Sequence, residues 1–177
     1  MATIFTETFE AATEGPGQTM LGAFEFVSGA SESFTDGAGD FLTVTDGAGE
    51  VGGFVAYANA SGRFLAAMDL DGEGATLPIV LQASGIDITG FQNLMLSLAA
   101  AEDDDPGSED WDVSDVVHVA VQIDGGGFTD IVNFESIPDG GDFNAVPAQD
   151  ADFDGDGDPG AELTDSFESF TGAIAGT

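Results

Sequence analysis

Residues Asp150 to Glu162, DADFDGDGDPGAE, carry acids at Asp150, Asp152, Asp154, Asp156 and Asp158, with Glu162 closing the run. Alternate carboxylates in an irregular loop can converge on one point. A glycine after the third acid permits the sharp turn this needs, which gives calcium loops their opening D-x-D-x-D-G pattern. Asp152, Asp154 and Asp156 followed by Gly157 match that pattern. Hard oxygen ligands select a hard cation, so the expected ion is Ca2+. Counted from Asp152, Glu162 falls one place before the acid expected at the twelfth position, and no helix pattern flanks the loop, so the ligand register stays open. The plainer alternative is a solvated acidic loop that holds metal weakly.

A second acidic cluster lies at Glu102 to Asp115, with Asp103, Asp104, Asp105, Glu109, Asp110, Asp112 and Asp115 around Pro106-Gly107. So many carboxylates at the entrance to a strand repel one another unless a cation neutralises them. Asp103, Asp105, Asp110, Asp112 and Asp115 are therefore further candidate metal ligands. Trp111 sits between Asp110 and Asp112, either as a packed anchor beneath the loop or as an exposed platform for a sugar ring. With acids on both sides, the anchor is the better reading.

Other chemistries fare worse. A pair of carboxylates could serve a glycosidase as acid and nucleophile, yet among 34 acidic side chains some pair always falls at a suitable distance, so the signal has little specificity. His118 is the single histidine, and a lone strand histidine is usually structural. No cysteine, lysine or G-x-S-x-G elbow is present, which removes thiol, Schiff-base, P-loop and serine-elbow chemistry. One histidine without cysteine also argues against zinc. Arg63, the only basic side chain of its kind, is expected to pair with a nearby carboxylate.

These residues need a frame. Val117, Val119, Val121 and Ile123 alternate with Val116, His118, Ala120 and Gln122, and Asp124-Gly125-Gly126-Gly127 supplies the positive-φ positions of a tight turn before FTDIVNF. This predicts a hairpin fed by the first acidic loop. Upstream, Thr3 to Phe9, Leu21 to Val27, Phe41 to Thr45, Gly53 to Ala58 and Arg63 to Leu70 read as short strands between turn residues. Leu77 to Ala83, with Ile86-Asp87-Ile88 after it, reads as one bent strand, and Phe91 to Ala100 as another. Pro138 to Gln149 reads as irregular, and Leu163 to Ile174 as a final, poorly alternating strand. No capped helical stripe and no fixed-period repeat occurs, so the expectation is an all-β fold, an antiparallel jelly-roll-like β-sandwich with long acidic loops, formed by 1–177 as a single domain.

Charge bounds the partners. Against 34 acids the chain has one lysine or arginine, for a formal net charge of −33, while a hydrophobic fraction of 42% with 15 Phe is enough to fold. Such a surface repels phosphates, which excludes nucleic acid as a partner and disfavours anionic membranes. Cations, basic proteins and neutral sugars remain. The N-terminus has neither a basic segment nor an apolar run, so no cleavable signal peptide is visible, and no window approaches the roughly 18 apolar residues of a membrane span. Export by a signal placed elsewhere competes with the cytoplasm of a salt-adapted cell.

The runs LAAAEDDDPGSEDWDVSDVVHVAVQIDGGGF and FNAVPAQDADFDGDGDPGAELTDSFESFTGAIAGT resemble a module of large secreted bacterial proteins. Those proteins also carry calcium-binding RTX-type repeats, lamin-tail domains or extracellular endonuclease/exonuclease/phosphatase domains. The likeness is clearest from Phe91 onward. It implies a jelly-roll β-sandwich with calcium-binding acidic loops and no settled catalytic role. It also implies a further strand pair beyond Gly176-Thr177, so either the chain is a fragment or its closing strand comes from another molecule. An open sheet edge would invite self-association into a homo-oligomer or filament by strand addition. The expectation is a non-enzymatic, calcium-stabilised structural or adhesive module, secreted to the cell surface. The alternatives are a calcium-dependent carbohydrate-binding module and, behind it, a two-carboxylate glycoside hydrolase.

Overall fold

Period-2 patterning and glycine-rich turns give antiparallel strands, as the sequence predicts. The computed structural model describes residues 2–35, 39–47, 57–70, 75–103, 111–137 and 145–176. Among them there is no helix, and every strand-to-strand ladder is antiparallel. The fold is all-β, built of small antiparallel sheets. The chain groups into two compact units, one of Met1–Phe54 with Ser61–Thr89, the other of Val55–Ala60 with Gly90–Thr177.

The first unit holds β1 (Met20–Leu21), β2 (Phe24–Ser28), β3 (Phe34–Thr35), β4 (Phe41–Thr45), β5 (Phe64–Met68) and β6 (Val80–Gln82). They form two small sheets, ordered β1-β2-β6 and β3-β4-β5. Leu21 to Val27, expected as one strand, breaks at Gly22, whose φ of 61° turns β1 back onto β2. All five residues of β4 are buried. Leu42 and Val44 join a core with Ala12 and Leu21, whereas Phe41 packs with Ala66 in a separate cluster, so both faces of this central strand are covered.

One expected strand and the tail of another are absent here. Thr3 to Phe9 is not a strand, because the Glu7 carboxylate accepts the Thr8 and Phe9 amides at 2.9 and 2.6 Å and Phe9 turns to a φ of 59°. A side chain that captures amides in this way competes with a ladder for them. Ile86-Asp87-Ile88 is likewise outside any strand, and the Asp87 carboxylate accepts the Thr89 amide at 2.9 Å. The expected strand at Gly53 to Ala58 lies, up to residue 56, outside the described residues.

The second unit holds β7 (Met95–Ala100), β8 (Val117–Gln122), β9 (Phe128–Ser136), β10 (Pro147–Asp150) and β11 (Glu168–Ala173), in sheets ordered β10-β9-β8 and β11-β7. The β8–β9 turn forms as predicted, with Asp124 and Gly125 both at positive φ. Ile131 is bulged out of the ladder between Val132 and Asp130, and so joins Val132 and Phe134 in the core. That core packs the two sheets together: Phe134 of β9 meets Phe170 of β11 edge-on, 4.9 Å between centroids, with Leu163 beside them. Gly172 lacks the Cβ that would collide with the Ile131 carbonyl, which lets β11 lie close over β9. β10 falls in the stretch Pro138 to Gln149 expected to be irregular, of which residues 138–144 lie outside the described residues.

Candidate metal centre

β10 carries Asp150 into the sheet. Its register with β9 sets Asp150 opposite Asn133, and the side chain ends 1% exposed. A buried carboxylate needs donors, and it finds them in the loop that follows: the amides of Asp154 and Gly155 donate to Asp150 Oδ1 and Oδ2 at 3.3 and 3.0 Å. Positive φ angles at Phe153 (59°) and Gly155 (93°) bend the loop back far enough for this. The return segment is fixed by Gly157 N donating to Ser136 O at 3.0 Å, Asp158 N to Gln149 O at 3.0 Å and Leu163 N to Pro147 O at 2.8 Å. Gly157 must lack a side chain, since a Cβ there would sit 2.5 Å from the Glu135 carbonyl oxygen.

The consequence is a convergence of three acids. Carboxylate oxygens of Asp150, Asp152 and Asp154 all lie within 4.8 Å of one another, with Asp152 and Asp154 exposed; it is the one such cluster among the described residues. Asp152 is held above the ordinary carboxylate pKa, first by the charge of Asp154, then by desolvation and by Asp158. Two overlapping D-x-D-x-D-G matches exist in this loop, and the folded chain assembles the earlier one. Asp150, Asp152 and Asp154 take the first, third and fifth positions and Gly155 the sixth. The later match, at Asp152, Asp154, Asp156 and Gly157, shares Asp152 and Asp154 with this set.

The other expected ligands are placed differently. Asp156 donates its amide to Asp154 Oδ1 at 3.1 Å, but its carboxylate is outside the cluster. Asp158 spends Oδ2 on the Ala151 amide at 2.9 Å. Glu162 is held below its ordinary pKa first by a bond from its own backbone amide and then by the Gly160 amide, which donates to Oε1 at 2.9 Å. Of the first acidic cluster, Asp104, Asp105, Glu109 and Asp110 lie outside the described residues. Asp103, Asp112 and Asp115 are described but do not form a convergent set. Asp115 Oδ2 accepts the Asp112 amide at 2.9 Å. Burial, then the charges of Asp103 and Glu102, push the Tyr57 hydroxyl well above its ordinary pKa.

Trp111 is anchored: its indole packs on the second unit's core and donates to Ser136 Oγ at 2.8 Å, which in turn donates to Asp112 O at 2.9 Å. His118 faces Glu135, and Arg63 pairs with Glu14 at 3.6 Å. A cleft of about 510 Å³ in the first unit is lined by one acid, Glu7, whose carboxylate is already engaged by backbone amides.

Sequence reading overlooked Asn133 and Glu135. The signal was present in the hairpin: once Asp124-Gly125 fixes the turn, His118 falls opposite Asn133 and on the face shared with Glu135. Three carboxylates with mutual repulsion and only oxygen donors suit a hard divalent cation, with Asp150, Asp152 and Asp154 as its holders. Comparison with protein-family models, with curated proteins and with solved structures finds no match to this chain.

Proposed function

We propose that this chain is a calcium-stabilised, non-enzymatic β module that serves a structural or adhesive role outside the cell. The observation that carries it is the convergence of Asp150, Asp152 and Asp154 at the end of β10, in a chain of net charge −33. A cation there neutralises clustered carboxylates and fastens the loop to the sheet. Two of the three acids are exposed, which suits the weak sites of extracellular modules, with dissociation constants on the order of 10⁻⁴–10⁻³ M. Calcium at such levels is found outside cells, and this supports the extracellular placement.

The test is thermal melting in chelator and in calcium. An ion bound only by the native state raises stability with its concentration; at 100 times its Kd the gain is about 2.7 kcal/mol, or roughly 5–10 °C for a chain of this size. Calcium should restore the melting temperature better than magnesium, which dehydrates reluctantly and demands octahedral geometry. A melt indifferent to both chelator and excess calcium would sink the proposal.

A further inference from the structure

Asn133 is 3% exposed, and its Oδ1 is shut off from solvent without a hydrogen-bond donor. It is the cross-strand partner of Asp150, so the two side chains share one face of the β10-β9-β8 sheet as nearest neighbours. Both Asp150 oxygens are already engaged as acceptors for loop amides. On the other side of Asn133 in the same row stands His118, whose Nε2 is engaged with Glu135. A buried carboxamide oxygen among acceptors is costly unless something positive meets it.

We propose that Asn133 Oδ1 is a fourth, neutral ligand to the cation held by Asp150, Asp152 and Asp154. The inference rests on the calcium reading of that loop and deepens it. Its ligands then come from two places: the contiguous loop, and the floor of the neighbouring strand β9. A cation so held cross-links β9 to the loop after β10, and a neutral oxygen adds coordination without adding to the repulsion among three carboxylates.

The experiment is calorimetric titration of calcium into the full chain, for the natural protein, Asn133→Ala, Asn133→Asp and the double variant Asp152→Asn/Asp154→Asn. Asn133→Ala should weaken calcium binding about tenfold or more, a scale reached even by groups one step removed from a metal. Asn133→Asp, which keeps the oxygen, should bind at least as tightly as the natural protein. The double variant should lose binding. If Asn133→Ala binds calcium as the natural protein does while the double variant fails, the loop site stands and the role of Asn133 is overturned. If the natural protein itself takes up no calcium, the parent reading falls and this one with it. Should Asn133→Ala not fold by circular dichroism, Asn133→Asp decides: weaker binding than the natural protein overturns the proposal, equal or tighter binding supports it.

Discussion

His118 Nε2 lies 2.5 Å from Glu135 Oε1, joining a solvent-facing imidazole to a carboxylate that is only 6% exposed. His118 Nδ1 is also 3.8 Å from Asp130 Oδ2, so the ring is flanked by acids on both sides. The chain's one histidine thus serves as the partner that lets Glu135 stay inside. Removing it strands a buried carboxylate, and the penalty for an unsatisfied charged group exceeds the net value of the bond itself. His118→Ala should lower stability by about 1.5–3 kcal/mol in denaturant unfolding. The double variant His118→Ala/Glu135→Leu should recover much of that loss, because both polar partners leave together. A single variant as stable as the natural protein would show that Glu135 does not depend on the ring.

The ligand register makes its own prediction. Asp152→Asn and Asp154→Asn should each weaken calcium binding about tenfold or more, whereas Asp156→Asn and Glu162→Gln should bind nearly as before. Asp150→Ala should in addition cost about 1.5–3 kcal/mol of stability in chelator, since two loop amides lose a charged acceptor. If Asp156→Asn proved the most damaging of the set, the later motif match would be the working one.

Legibility of the fold followed local consistency. The β8–β9 hairpin was readable because alternation, β-branched residues and the Asp124-Gly125 turn all agree. Thr3 to Phe9 has the right composition, but Glu7 takes its amides, a competition that composition does not display. β10, Pro147–Asp150, has no alternation or β-branched residue; pairing with β9 imposes the strand. That pairing also buries Asp150 and brings Asn133 beside it, which is why the loop's acids were visible in the sequence while their register and the strand-borne neighbour were not.

Two exposed carboxylates shifted in opposite directions predict opposite pH behaviour. Asp87 is held below its ordinary 3.8 by the backbone and hydroxyl of Thr89, so its contribution is present above that value and lost as pH falls through the folded pKa. Asp152 is held above 3.8, chiefly by Asp154, so the metal-free fold loses stability as pH rises from 3.8 through the folded pKa and carries the full penalty at neutral pH. In chelator at neutral pH, Asp87→Asn should therefore melt below the natural protein and Asp152→Asn above it. The Asp152 difference should disappear as melts are taken below 3.8, and the Asp87 difference should shrink only as pH falls through its lower folded pKa. Parallel shifts of the two variants at neutral pH would contradict the assignment.

Arg63 has no other lysine or arginine to share its task with. Its Nη1 donates to Ala12 O at 2.7 Å and Glu10 O at 3.3 Å, while Nη2 stands 3.6 Å from a Glu14 carboxylate at the surface. The carbonyl bonds hold residues 10–12, where Ala12 is part of the first unit's core, so they should outweigh the ion pair. Arg63→Ala is expected to cost about 1–2 kcal/mol, and Glu14→Gln less than about 0.5 kcal/mol. Arg63→Lys should recover only part of the loss, because a single ammonium cannot sit both at the two carbonyls met by Nη1 and beside Glu14 as Nη2 does. High salt screens an exposed ion pair but not these bonds, so the deficit of Arg63→Ala should persist in roughly 1 M salt. A deficit that vanished there, or a Glu14→Gln variant as weak as Arg63→Ala, would mean the charge pair is what holds this turn.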